Sequence, residues 1–196
     1  MSRALISVYD KTGLEDFARF IHGLGAEIVS SVGTAGFLSK AGIDVTPVES
    51  MTGFPEVLDG RVKTLHPKVH AGILARRGRA EDMATLKEHE ITPVDWVVVN
   101  LYPFREKLQE VREERELLEF IDIGGPTMVR AAAKNFSDVI VVCDPADYGW
   151  IREEYARAGG ISLRHRRQLA AKVYRLMADY DGAIAEYLAG RDGTDS

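Results

Sequence analysis

The stretch GRVKTLHPKVHAGILA, residues 60–75, gathers Arg61, Lys63, His66, Lys68 and His70 in a chain whose formal net charge is -5. A solvated surface scatters such cations, whereas an anionic ligand concentrates them, and a phosphate-sized anion is the simplest ligand of that kind. Two other stretches have the composition of a phosphate cradle. Ser31, Val32, Gly33 and Thr34 supply small hydroxyls and a glycine at a strand-to-helix turn, where backbone N–H groups can approach an anion. Taken alone, that turn reads more readily as a helix cap; joined to the neighbouring strand end it gains. Tyr9, Asp10, Lys11 and Thr12 follow a neighbouring strand and bring an ammonium. A phosphomonoester carries about two negative charges, so one ammonium with several backbone donors complements it.

Other chemistries fit less well. His66 and His70 are four apart, the spacing at which one helical face can hold zinc. Pro67 stands where a zinc peptidase needs its general-base glutamate, so no metal site is expected and Pro67 reads as the first residue of a short helix. His22, His89 and His165 fall in predicted helices as packing or surface residues. The sequence has no Gly-x-Ser-x-Gly elbow, no Walker lysine loop and no G-x-G-x-x-G after a strand. Cys143, the single cysteine, lies in the apolar run VIVVC and is expected to be buried and a poor nucleophile. Covalent catalysis, NTP hydrolysis and dinucleotide binding are disfavoured. The acidic net charge argues against a protein that coats nucleic acid. No apolar run approaches the ~20 residues of a membrane span, and MSRALISVYD lacks a signal-peptide core. A soluble, cytoplasmic protein with neither nucleic acid nor membrane as partner is expected.

The elements that must position these residues follow from periodicity. Short β-rich runs, ALISV (4–8), AEIVS (26–30), DVTPV (44–48), WVVVNL (96–101) and DVIVVC (138–143), alternate with helical patterns. Leu14, Phe17, Ala18, Ile21 and Leu24 recur at helical spacing, and Thr12 with Glu15 reads as a capping box. WVVVNL and VIVVC are apolar without alternation, as expected of strands covered on both faces. The architecture is therefore α/β, a Rossmann-like three-layer sandwich about a mainly parallel five-stranded sheet, in one domain over residues 1–196. VREERELLEF reads as a solvated helix, residues 162–190 as a terminal helix or helix pair, and GTDS as a frayed tail. Ligands of open α/β sheets bind where strands end and helices begin. SVYDKTG, SSVGTAG, NLYPF and IDIGGPTMVRAAAKN all fall at such junctions, so sites distant in sequence share one rim.

Together, SVYDKTGL, GRVKTLHPKVHAGILA, NLYPF and IDIGGPTMVRAAAKN resemble, in kind and order, the inosine monophosphate (IMP) cyclohydrolase domain of the bifunctional purine-biosynthesis enzymes. The resemblance runs from about Arg3 to Gly190. It implies a methylglyoxal synthase-like fold, a homodimer, no cofactor and no metal. The family usually carries a C-terminal formyltransferase domain as well, which is not expected within these 196 residues. It implies ring closure of 5-formamidoimidazole-4-carboxamide ribotide (FAICAR) to IMP with loss of water. It further implies a nucleotide pocket of Lys11 and its neighbours Tyr9, Asp10 and Thr12, with Ser31, Val32, Gly33, Thr34, Arg61, Lys63, Thr64, Asn100, Asp122 and Ile123. Lys134, in AAAKN, matches the family's proton-carrying lysine, with Lys63, Tyr102 and Asp122 as its companions. The family's pattern has a second serine where this chain has Tyr9, and a glycine where it has Val32. Val32 suffices provided its φ stays negative.

That chemistry asks little machinery. Both reacting groups sit on one small ring, so the substrate supplies proximity and the protein must fix rotamers and move protons. A carboxylate such as Asp122 near the weakly nucleophilic carboxamide and an ammonium near the formyl oxygen would each help. Backbone N–H groups at Gly124 and Gly125 are expected to add an oxyanion site. A non-catalytic nucleotide-sensing module on the same fold is the alternative.

Overall fold

The computed structural model describes residues 2–190, and the tail expected at GTDS lies outside them. Five strands, β1 (Ser2–Val8), β2 (Ala26–Ser30), β3 (Thr46–Pro47), β4 (Trp96–Asn100) and β5 (Ile140–Val142), form one sheet in the order β3-β2-β1-β4-β5. Every pairing is parallel. Between strands run α1 (Leu14–Gly23), α2 (Val32–Lys40), α3 (Val48–Thr52), α4 (Pro67–Leu74), α5 (Ala80–Glu88), α6 (Phe104–Glu110), α7 (Glu114–Leu118) and α8 (Gly124–Lys134). After β5 come α9 (Tyr148–Ala158) and α10 (Leu163–Ala189). No helix among the described residues is long and apolar enough to cross a membrane.

The central strands are apolar runs because both of their faces are covered. Leu5, Ile6, Val97, Val98 and Val141 are all buried in one continuous core. On one side α1 and α9 meet, and the Phe17 and Tyr148 rings stack at 4.2 Å. Elsewhere α4, α8 and α10 pack together, with α8 and α10 against β5. A satellite core of Phe104, Leu117, Tyr180 and Ala183 joins α6 and α7 to the distal half of α10.

Several local expectations need correction. The run DVTPV yields only the two-residue β3, because Pro47 has no N–H for a ladder and its φ of -60° starts α3 instead. The last strand is shorter than 138–143, since a turn bond from Asp138 N–H to the Asn135 carbonyl takes its first residue. No Thr12–Glu15 capping box forms. Asp10 Oδ1 accepts the Thr12 N–H at 2.9 Å and hydroxyl at 2.7 Å, and α1 starts from Gly13 at a φ of 65°. The carboxylate two residues upstream is simply the nearer acceptor. Of the two forms expected for the terminal segment, the single helix is the one found, 27 residues long. Only Glu114–Leu118 of VREERELLEF is helical, and His89 terminates α5 rather than lying within it. Pro67 does occupy the first turn of α4, capped by His66, whose Nδ1 accepts the Lys68 N–H at 3.1 Å.

Candidate active site

A cavity of about 700 Å³ opens beyond the carboxyl ends of β1, β2 and β4. It lies at the point where the chain order reverses, since β2 and β3 extend the sheet to one side of β1 while β4 and β5 extend it to the other. The sheet order thus brings together loops separated by 91 residues of sequence, as the Tyr9–Asn100 contact illustrates.

One end of the cavity suits an anion. Ser31 caps α2, whose leading N–H groups have no partner within the helix. Ser7 and Ser31 hydroxyls bond at 2.9 Å, and the buried Thr34 hydroxyl both accepts the Val8 N–H and donates to the Val8 carbonyl at 3.1 Å. Lys11 Nζ rests 3.3 Å from the Tyr9 carbonyl, close to the end of β1. Val32 is a helical residue with no positive φ, so the missing glycine costs no strain; its side chain points outward, 61% exposed, and lines no wall. Asp10 and Thr12 also lie off the wall and shape the turn instead.

Asn100 lines the cavity, yet its amide is committed to the loop. Oδ1 accepts the N–H groups of Tyr9 and Asp10 at 2.7 and 2.9 Å, and Nδ2 donates to the Asp10 carbonyl at 2.8 Å. It therefore acts by holding the Tyr9–Lys11 turn in place. Asn100→Ala is expected to destabilise the fold by about 0.5–1.5 kcal/mol, because the turn loses its bonds while water can reach the freed backbone groups. A thermal melt superimposable on the wild type would refute this role.

The other end carries the titrating groups. Asp122 precedes α8, and its Oδ1 accepts the Gly125 N–H at 2.9 Å. Burial pushes its pKa above the usual carboxylate value, a trend opposed by the Gly125 N–H, by Lys63 and by the Gly124 N–H. The N–H groups expected at the oxyanion are thus aimed at Asp122. Burial and the Asp122 charge raise Tyr102 as well. The Tyr102 ring sits edge-on to Tyr9 at 5.2 Å, so Tyr9 belongs to an aromatic wall. Gly124 and Gly125 permit a close approach that any Cβ would disturb. A Cβ on Gly124 would strike the buried Thr64 hydroxyl, and one on Gly125 would strike Asp122 and lie 2.9 Å from Leu101 Cδ2.

Arg61 and Lys63 stand on a hairpin closed by the antiparallel bridge Val57–Val62. Its tip, Leu58, Asp59 and Gly60, has three consecutive positive φ angles of 56°, 54° and 84°. Two of these are non-glycine residues in a conformation that costs about 1 kcal/mol or more each. Arg61 Nε meets Glu119 Oε2 at 3.3 Å, joining the hairpin to the segment before Asp122. Sequence reading missed Leu58, Asp59, Glu119 and Ile121 as lining residues. The Asp59–Gly60 dipeptide between two valines was the available hairpin signal.

Lys134 is not brought to this cavity. It is the exposed last residue of α8, and at about 1.5 Å per residue it lies roughly 15 Å along the axis from Gly124. A helix that starts in a cavity carries its far end away from it, so within one chain this amine does not line the cavity. Cys143 is buried, its thiol pushed up to about 12 by burial.

Residues 13–127 match the MGS-like domain family, and residues 132–196 match the AICARFT/IMPCHase bienzyme family. Among curated relatives, the bifunctional purine biosynthesis protein PurH of Clostridium botulinum (strain Eklund 17B / Type B) is 54% identical over 188 residues, 96% of this chain and 38% of the relative. PurH of Clostridium beijerinckii (strain ATCC 51743 / NCIMB 8052) is 55% identical over 95% of this chain and 37% of its own length. This chain therefore spans well under half the length of these relatives. The crystal structure of ForH superimposes with a TM-score of 0.81 at 34% identity, covering 94% of this chain and 97% of ForH. By the extent of these matches and the parallel sheet with its cavity at the reversal point, the chain belongs to the MGS-like domain family.

Proposed function

We propose that this chain is an IMP cyclohydrolase, closing the ring of FAICAR to give IMP and water in purine biosynthesis. The observation that carries the reading is one cavity lined both by Lys11, Ser31, Gly33 and Thr34, which suit an anion, and by Lys63, Tyr102 and Asp122. Its volume suits a ribonucleotide. The relatives named for purine biosynthesis support it.

The chemistry follows from the groups present. With the phosphate on the N-terminus of α2 and Lys11, the heterocycle reaches Asp122. Asp122 takes a proton from the carboxamide nitrogen as that nitrogen attacks the formyl carbon. Lys63 stabilises the charge that grows on the formyl oxygen. A second proton leaves the formamide nitrogen as the C–O bond breaks, and both protons depart in the water. A carboxyl raised by burial is a stronger base than an ordinary one, which suits a feeble nucleophile.

Lys134 enters this reading through a second copy of the chain, in a homodimer of cytoplasmic, cofactor-free protein. Purified protein given FAICAR should produce the ultraviolet change of purine closure well above a no-enzyme blank; a rate equal to the blank overturns the proposal. Lys134→Ala and Asp122→Asn should each lose most of the activity, and mixing the two variants should restore part of it. No recovery on mixing would reject the shared site. IMP binding without turnover would instead favour a nucleotide sensor.

A further inference from the structure

Asp122 lies between α7 and α8, on a segment with no ladder or helix of its own to hold it. Turn bonds from the Phe120 and Ile121 N–H groups and the Gly125 N–H on its carboxylate hold it locally, and a further hold on its backbone comes from α10. The Tyr180 hydroxyl accepts the Asp122 N–H at 2.8 Å and donates to the Phe120 carbonyl at 3.0 Å. One hydroxyl thus closes a bracket on both sides of the segment, using a donor and an acceptor as its chemistry allows. The ring is buried in the satellite core, edge-on to Phe104 at 6.3 Å. The next residue, Asp181, pairs with Arg130 of α8, so α10 grips both the segment and the helix that follows it. No residue of α10 lines the cavity.

We infer that Tyr180 is a positioning residue that sets the location of the Asp122 carboxylate, so that α10 is part of the catalytic apparatus without touching substrate. The inference rests on the cyclohydrolase reading for its kinetic consequence, and on geometry for the rest. It also explains how the stretch matched by the bienzyme family, 132–196, bears on a cavity whose lining ends at Met128. Asp122 is faced by Lys63 from the hairpin, by Tyr102 and by the Tyr180 hydroxyl. A displacement of about 1 Å at a reacting group costs on the order of 100-fold in rate.

The test compares Tyr180→Phe, which keeps the ring in the satellite core, with Phe104→Leu, which loosens that core and leaves the bracket intact. Tyr180→Phe is expected to lower kcat by about 10- to 100-fold with KM within about two-fold, while Phe104→Leu leaves kcat within about three-fold. Carbon NMR of the Asp122 carboxyl gives a readout that needs no substrate. Its titration should move down toward the ordinary carboxylate value in Tyr180→Phe, as the released segment admits water, and stay in place in Phe104→Leu. An unmoved Asp122 titration in Tyr180→Phe, or equal changes in both variants, overturns the inference. A wild-type protein that fails to cyclise FAICAR overturns only the proposed function.

Discussion

Asp122→Asn is expected to lower kcat by about 10²–10⁴-fold, the range spanned by general-base residues. The amide keeps the shape of the carboxylate and can still accept the Gly125 N–H, but it cannot take a proton. In the wild type, activity should fall as pH drops through the Asp122 pKa. Because burial raises that pKa, the acid limb should lie above the ordinary aspartate value of about 3.9. The same shift has a sign for stability. A carboxyl whose pKa is higher in the folded than in the unfolded state binds its proton more tightly when folded. Stability therefore falls as pH rises from the unfolded value through the folded one, and the cost persists above both. Removing the charge relieves it, so Asp122→Asn should melt at a higher temperature than the wild type at neutral pH. Retained kcat would remove Asp122 from the chemistry, and a clearly lower melting temperature would contradict the burial argument.

Gly125→Ala is expected to impair both properties together. Its Cβ would occupy the space of Asp122 Oδ2 and press on Leu101 Cδ2, and the first turn of α8 cannot retreat because Pro126, Met128 and Val129 are buried behind it. The carboxylate must move, which costs on the order of 100-fold in kcat, and overpacking should destabilise the fold by about 1–3 kcal/mol. The two substitutions thus separate by the direction of their melting shift, although both lower kcat. A Gly125→Ala protein with wild-type kcat and melting temperature would show that the tight approach is not required.

The contrast between these residues reflects what a linear pattern encodes. Hydrophobic runs and helical spacing are local, so β2, the first turn of α4 and the body of α1 were legible from neighbouring residues alone. The Asp10–Thr12 turn was misread because two acceptors competed for one set of donors, and only their distances decide. Asn100 lines the cavity while bracing the Tyr9–Lys11 turn, and in a sequence an asparagine looks alike whether it binds ligand or braces a loop. Tyr180 had no signal at all. It is a tyrosine on a helix like any other, and its hydroxyl gains meaning only where α10 folds back against residues 120–122.

Composition, charge and ordered motifs by themselves determined an α/β chain with parallel strands, put the candidate ligand loops at strand ends and carried a resemblance to a ribotide-cyclising family. The tertiary structure alone decided that Lys63, Tyr102 and Asp122 meet in one cavity while Lys134 ends α8 outside it. The reason is physical: which loops converge depends on the order of strands in the sheet, and how far a helix carries a side chain depends on its length and direction. Neither quantity is a property of any short stretch of residues.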